Sequence, residues 1–269
     1  MISDLVIDAG MHRGEDTEFY LKKGFRVVGV EANPKLCELV AKQQKDRLSS
    51  GELQIVNAAV VETSGPTTFY INDQVSDWGT TNKSWVERNQ KMGTTSREVT
   101  VQGMRFGEIL DTYGTPYFLK IDIEGNDTLC LEGLRGRKTV PKYISIESGK
   151  TNWAELVHEF DLFRELGYSR FKIVNQVPID KQVCPNPPKE GKQVKHDFKF
   201  GSSGLFGEEA PGRWLTRTEA LLKYRWIFVK YAAVGNYGLI PNLHKRYKPG
   251  TLMKKLAHPG WYDTHARHR

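Results

Sequence analysis

The chain reads as an α/β protein, a mostly parallel sheet with helices on both faces, and three observations predict it. Short β-branched apolar runs alternate with helical patterns along the first 175 residues. The runs are continuously apolar, as strands covered on both faces must be. Five of them lead into a polar residue, so that Asp8, Glu31, Asn57, Asp122 and Glu147 fall at predicted carboxyl ends. Open α/β sheets collect their ligands along that rim.

Each element follows in order. Leu5 to Ile7 is the first strand, and Glu15 to Lys23 is helical. Val27 to Val30 is the second strand and ends on Glu31. Pro34 suits the first position of a helix whose apolar face, Leu36, Leu39 and Val40, runs to near Leu48. Leu53 to Val56 is the third strand. Between Val60 and Ile71 a Ser64-Gly65-Pro66 turn separates two extended runs and predicts a hairpin. Asn72 to Thr95 reads as a polar loop, Glu98 to Val101 as extended and Phe106 to Tyr113 as helix. Tyr117 to Ile121 is a further buried strand, followed by a turn at Ile123 to Asp127 and a helix through Leu134. A strand to Glu147, a helix from Trp153 to Leu166 and a strand from Tyr168 to Val174 complete the alternation.

The first 34 residues form a nucleoside-binding half-site. Gly10 and Gly14 let the backbone turn without a Cβ in the way. Glu31 stands where a doubly wound sheet holds a ribose diol, with Asn33 beside it. A dinucleotide site would show G-x-G-x-x-G, and a pyrophosphate would be repelled by Asp8. S-adenosylmethionine suits the segment better, because it lacks phosphate and carries cationic groups that an aspartate can face.

Three segments carry a family resemblance: Asp8-Ala9-Gly10 with Glu31-Ala32-Asn33-Pro34, Leu119-Lys120-Ile121-Asp122-Ile123-Glu124-Gly125, and Ser203-Gly204-Leu205-Phe206-Gly207-Glu208-Glu209. Together they resemble the FkbM-type class I methyltransferases over roughly residues 4–215. The resemblance implies a Rossmann-like, seven-stranded, mostly parallel sheet, S-adenosylmethionine as donor, and transfer to a hydroxyl, commonly of a sugar or a polyketide. Few residues precede the first strand, so the segment 72–95 or 202–214 is expected to close the site.

On that reading Gly10, Gly14 and the amides between them hold the methionine end, with Asp8 near its amino group. Glu31 takes the ribose hydroxyls, and Asn57 and Ala58 meet the adenine, unless Asn57 only satisfies loop backbone. Trp78 is either a stacking platform or a plug holding its loop to the core. Methyl transfer to oxygen needs a base or a metal to activate the alcohol. Asp122, also within reach of the cofactor, or Glu124 is preferred as the base or as a binder of the acceptor hydroxyls, with Glu147 on the next strand; Glu124 has the alternative role of a helix cap. Asp122 with Glu147 offers oxygen ligands for a divalent ion. His196 and Trp261 are candidate acceptor contacts, although a lone histidine such as His196 is more often structural.

Composition sets the remaining expectations. Residues 213–269 hold 12 Lys/Arg against 2 acids, so the net +7 divides into +10 there and −3 over residues 1–212. The chain is therefore expected to comprise a catalytic domain, 1–212, and a basic aromatic extension, 213–269, packed on it. That extension suits a sugar acceptor with an anionic carrier, or a membrane surface. Nucleic acid is disfavoured, because Asp122-Ile123-Glu124-Gly125 occupies the place of a base-flipping N/D-P-P-Y/F/W segment. An NAD-dependent sugar oxidoreductase is disfavoured by the missing third glycine and the lack of a Tyr-x-x-x-Lys relay. No apolar run has spanning length, Met1 to Asp4 leads straight into a strand, and Cys37, Cys130 and Cys184 form no pair by spacing; a cytoplasmic location is expected.

Overall fold

The computed structural model describes residues 1–235, 238–241, 243–248 and 251–269. The chain begins β1 (Ile2–Ala9), α1 (Glu15–Lys22), β2 (Arg26–Glu31), α2 (Pro34–Gln43), α3 (Lys45–Ser49) and β3 (Leu53–Asn57). It continues β4 (Ala59–Val60), β5 (Gly65–Asn72), α4 (Lys83–Lys91), β6 (Ser96–Met104), α5 (Phe106–Tyr113) and β7 (Pro116–Ile121). Then come α6 (Thr128–Glu132), β8 (Tyr143–Glu147), α7 (Trp153–Glu165), β9 (Tyr168–Asn175), α8 (Arg217–Val234), α9 (Leu252–Ala257) and β10 (Tyr262–His268).

Seven strands form one sheet in the order β3-β2-β1-β7-β8-β10-β9, parallel except for β10. The winding reverses between β1 and β7, which opens a crevice above their carboxyl ends. Alternate residues of β1 feed two cores. Leu5, Ile7 and Ala9 join Ile109, Leu131, Phe160 and Tyr224 from α5, α6, α7 and α8; Val6 joins Phe19, Tyr20 and Phe206.

On that second face the cover is only partly helical. Beyond α1 and α2 it is chain between β9 and α8 that has no α-helix, with Phe206 stacked on Phe118 at 4.5 Å. Several of its amides are satisfied by side chains rather than by a ladder. Glu209 Oε1 accepts from the Lys189 and Glu190 amides and is paired with Lys23 Nζ at 2.9 Å, both side chains fully buried. Gln182 accepts from the Leu205 amide, and Glu190 from that of Glu208.

Three expectations need correction. The runs on either side of Ser64-Gly65-Pro66 form no hairpin, because β6 lies between β4 and β5 in a separate three-stranded sheet. The polar loop contains α4, whose N-cap Asn82 accepts from the Ser84 amide and whose Val86 and Asn89 are buried. Residues 213–269 are not an addition to a finished domain, since β10 lies between β8 and β9 and bonds to both. Three of its polar side chains are paired across the sheet and its cover: Gln176 donates to Asp263, Thr264 bonds Ser148 and Tyr224, and Arg267 donates to Glu208.

Candidate functional site

A cavity of about 280 Å³ occupies the crevice, with Gly10, Glu31, Lys120 and Asp122 in its lining. Its floor is the turn after β1. The Gly10 and Met11 amides both donate to Val30 O, at 2.9 and 3.0 Å. Gly10 has φ +86, and a methyl on it would overlap the Asp122 carbonyl, so only glycine lets the ends of β1 and β7 close up.

Glu31, at the end of β2, is organised by two amides. Its Oε1 accepts from Asn33 N at 2.8 Å and its Oε2 from His12 N at 2.9 Å. Each oxygen keeps a lone pair for a ligand. Burial pushes this carboxyl above its ordinary range. Asn33 caps α2 by accepting from Lys35 N, and Ala58 completes this side of the lining.

At the other end stand the acids. Ligand oxygens of Asp122, Glu124 and Glu147 lie within 4.8 Å of one another. Burial pushes Asp122 up to about 7 against the pull of Lys120, 3.7 Å away, with Glu147 adding to the rise. Burial and then Asp122 raise Glu124 well above its usual range. Glu147 does not line the cavity; Lys150 holds it at 2.6 Å. The turn carrying Glu124 is fixed by Asp127, which accepts from the Ile123 and Gly125 amides. Asp127, rather than Glu124, therefore organises the entry to α6.

Among the described residues His12 (φ 53) and Glu124 (φ 55) are the non-glycine residues with left-handed backbone, and both line the cavity. Strain of this kind persists only where neighbours over-determine it. Here the segment between β5 and α4 does so. Ser76 Oγ bonds His12 Nε2 at 3.0 Å, Thr80 Oγ1 donates to Glu124 O at 2.6 Å, and Asn126 donates to Thr81 at 2.6 Å. Ser76, Asp77, Gly79 and Thr81 line the cavity, whereas no residue of 202–214 does.

Several sequence-predicted residues stand elsewhere. Asp8 is fully buried beneath the cavity, accepting from Thr17 at 2.6 Å and facing Lys120 Nζ at 3.3 Å. The carboxylate on that side of the lining is Asp16, whose two oxygens accept from Ser203 N at 2.9 and 3.0 Å and which burial raises to about 6. Gly14 is the N-cap of α1 and does not line the cavity. Asn57 donates to Glu31 O and Ala32 O, so its amide satisfies backbone. Trp78 lies outside the lining, and its carbonyl accepts from Asn89 of α4. His196 packs on Phe19 and Phe198, ring centroids 5.0 and 4.8 Å away, outside the cavity. Trp261 does line it, 5.9 Å from the ring of Phe200.

Sequence reasoning missed Lys120, Asp16, His12 and Phe200 as cavity residues. The signal for Lys120 was a lysine inside an apolar strand: it is 4% exposed, and its Nζ donates to Gly10 O at 2.7 Å.

The Methyltransferase FkbM domain family matches residues 8–170. No curated protein matches the chain. Similar solved structures include a methyltransferase FkbM from Methylobacillus flagellatus KT, 17% identical over 64% of this chain and 40% of that one, with TM-score 0.43. Another is a precorrin-6y C5,15-methyltransferase from Geobacter metallireducens GS-15, at 12% identity over 64% of this chain and 67% of that one, with TM-score 0.37. A SAM-dependent methyltransferase from Archaeoglobus fulgidus is 13% identical over 98% of this chain and 86% of that one, with TM-score 0.37. The chain spans 40% of the length of the first of these.

Proposed function

The chain belongs to the FkbM methyltransferase family, and from that premise we propose that it is an S-adenosylmethionine-dependent O-methyltransferase acting on a sugar hydroxyl. The observation that carries the reading is the presence, in one cavity, of the Glu31 carboxylate held by two backbone amides together with Asp122 and Glu124. The free lone pairs of Glu31 suit a ribose diol, and Gly10, which lets the ends of β1 and β7 close up, brings Glu31 and Asp122 into the lining of one cavity. Asp16 takes the part first given to Asp8, facing an ammonium group from the cavity wall. When bound, S-adenosylmethionine supplies a methyl carbon made electrophilic by a sulfonium.

The chain's own residues do the rest. Asp122, pushed up to about 7, is poised to accept the acceptor hydroxyl's proton near neutral pH. Glu124 binds a neighbouring hydroxyl. Phe200 and Trp261 at the cavity lining offer faces to an apolar side of a sugar ring. Lys120 and Lys150 neutralise part of the acidic group, which supports a protein base over a metal ion as the activator. Cys37, Cys130 and Cys184 are free, in keeping with a reducing, cytoplasmic compartment, and among the described residues no helix is long and apolar enough to cross a membrane.

Two measurements test the proposal. Mass spectrometry of the purified protein is expected to reveal co-purified S-adenosylhomocysteine, and labelled S-adenosylmethionine is expected to methylate members of a saccharide panel. Transfer only to an amine or carbon nucleophile would refute the sugar hydroxyl while leaving the cofactor in place.

A further inference from the structure

Helix α8 is apolar on two opposite faces. Ala220, Tyr224 and Ile227 are buried in the body of the protein. On the other side Leu222, Trp226 and Val229, spaced to share one face, are 54%, 77% and 61% exposed. One buried face is enough to fix a helix on its core, so the outward stripe serves something else. Just past the helix, Leu239 and Ile240 fold back on it, their amides donating to Ala232 O and Ala233 O, and are 88% and 45% exposed. Leu252 and Met253 are 70% and 51% exposed. Of the 11 exposed large hydrophobics in the described residues, seven fall between 222 and 253. That is concentration, not the scatter of an ordinary surface.

The charge of the same stretch selects the partner. Between 217 and 254 the sequence carries eight Lys/Arg and a single acid, Glu219; Arg217 pairs with Asp161 and Lys223 Nζ donates to Ile173 O, so these two serve the body of the protein. Arg225 and Lys230 flank the apolar stripe on either side. A second copy docking by a two-fold axis would press this basic face against itself. A nucleic acid would meet the charges but leave the aliphatic side chains with nothing to bury against.

We propose that this face docks on an anionic phospholipid bilayer. The helix lies in the interface plane, with Leu222, Trp226 and Val229 entering the boundary between headgroups and acyl chains and the surrounding Lys/Arg meeting lipid phosphates. Docking of this kind is independent of methyl transfer, so the two can fail separately.

The test is co-sedimentation of the intact chain with vesicles of phosphatidylcholine, with and without phosphatidylglycerol. Binding is expected only with the anionic lipid and is expected to weaken with salt. Arg225→Gln with Lys230→Gln should lower it about 25-fold, at about fivefold per basic residue. The triple variant Leu222→Ser, Trp226→Ser, Val229→Ser should abolish it while its melting temperature and S-adenosylhomocysteine affinity match wild type. Absence of binding to anionic vesicles at low salt overturns the proposal, as does undiminished binding by the folded triple variant. A concentration-dependent dimer that the triple variant dissolves assigns the face to a second copy instead and equally overturns it.

Discussion

Glu31→Gln turns one carboxylate oxygen into an NH₂ group, and the site has no place for it. One oxygen accepts from Asn33 N at 2.8 Å and the other from His12 N at 2.9 Å, so either amide orientation aims a donor at a donor. The unsatisfied N–H is expected to cost about 1–3 kcal/mol of folding stability, read by urea unfolding without ligand. Separately, a ribose hydroxyl loses one charge-assisted hydrogen bond, worth about 1.5–3 kcal/mol. Affinity for S-adenosylhomocysteine, measured by titration calorimetry, should therefore fall about 10- to 150-fold. A loss of stability with affinity kept within about threefold of wild type would mean that Glu31 only shapes the turn, and the ribose assignment would fall.

Asp122→Asn should leave S-adenosylhomocysteine affinity nearly intact and slow turnover by about 10²-fold or more. Wild-type turnover should rise with pH through about 7, where Asp122 loses its proton, and persist in a chelator; a pH-flat rate, or abolition by the chelator, would remove Asp122 as the base. Glu159, buried with Ser148 donating to it at 2.6 Å, is pushed by burial up to about 8 from the ordinary 4.5. Its contribution to stability is thus fully present below the ordinary value and lost as pH rises through about 8, so Glu159→Gln should gain on wild type by up to a few kcal/mol in alkaline urea melts; parallel pH profiles would contradict this. Truncation before Lys245 removes β10 and should yield a chain that fails to melt cooperatively, rather than a folded enzyme with weakened acceptor binding.

The parts of the fold that were legible are those written in contiguous residues. Leu5 to Ile7 and Val27 to Val30 are apolar because parallel strands buried on both faces leave no alternative, and Glu31 could be placed from the strand it ends. Direction was harder to read than position. Asp8, Gly14 and Asn57 stand at the foreseen ends, yet Thr17, Lys120 and the carbonyls after β2 claim the two polar side chains and Gly14 serves the helix. β10 escaped notice because Tyr262 to His268 reads Tyr-Asp-Thr-His-Ala-Arg-His, with no apolar run. Its burial depends on partners at Gln176, Ser148, Tyr224 and Glu208, far off in sequence. A lysine inside a strand carries the same ambiguity: only the neighbouring Asp8, Gly10 and Asp122 make Lys120 tolerable there.

The position of β10 also dictates an order of assembly. Translation delivers residues 262–268 after every other strand of the sheet, yet their slot lies between β8 and β9. If those two zip together while the ribosome is still at work, they have to be prised apart again. A productive nascent chain must keep the slot open, with both strand edges unpaired and therefore exposed to neighbours. Closure then joins His265 to Ser145 on one side and Lys172 on the other, contacts that span most of the second half of the protein and carry the corresponding loop-closure entropy. A polypeptide stalled short of residue 262 is thus a half-built sheet, and the edges of β8 and β9 stay open to neighbours until β10 emerges to fill the slot.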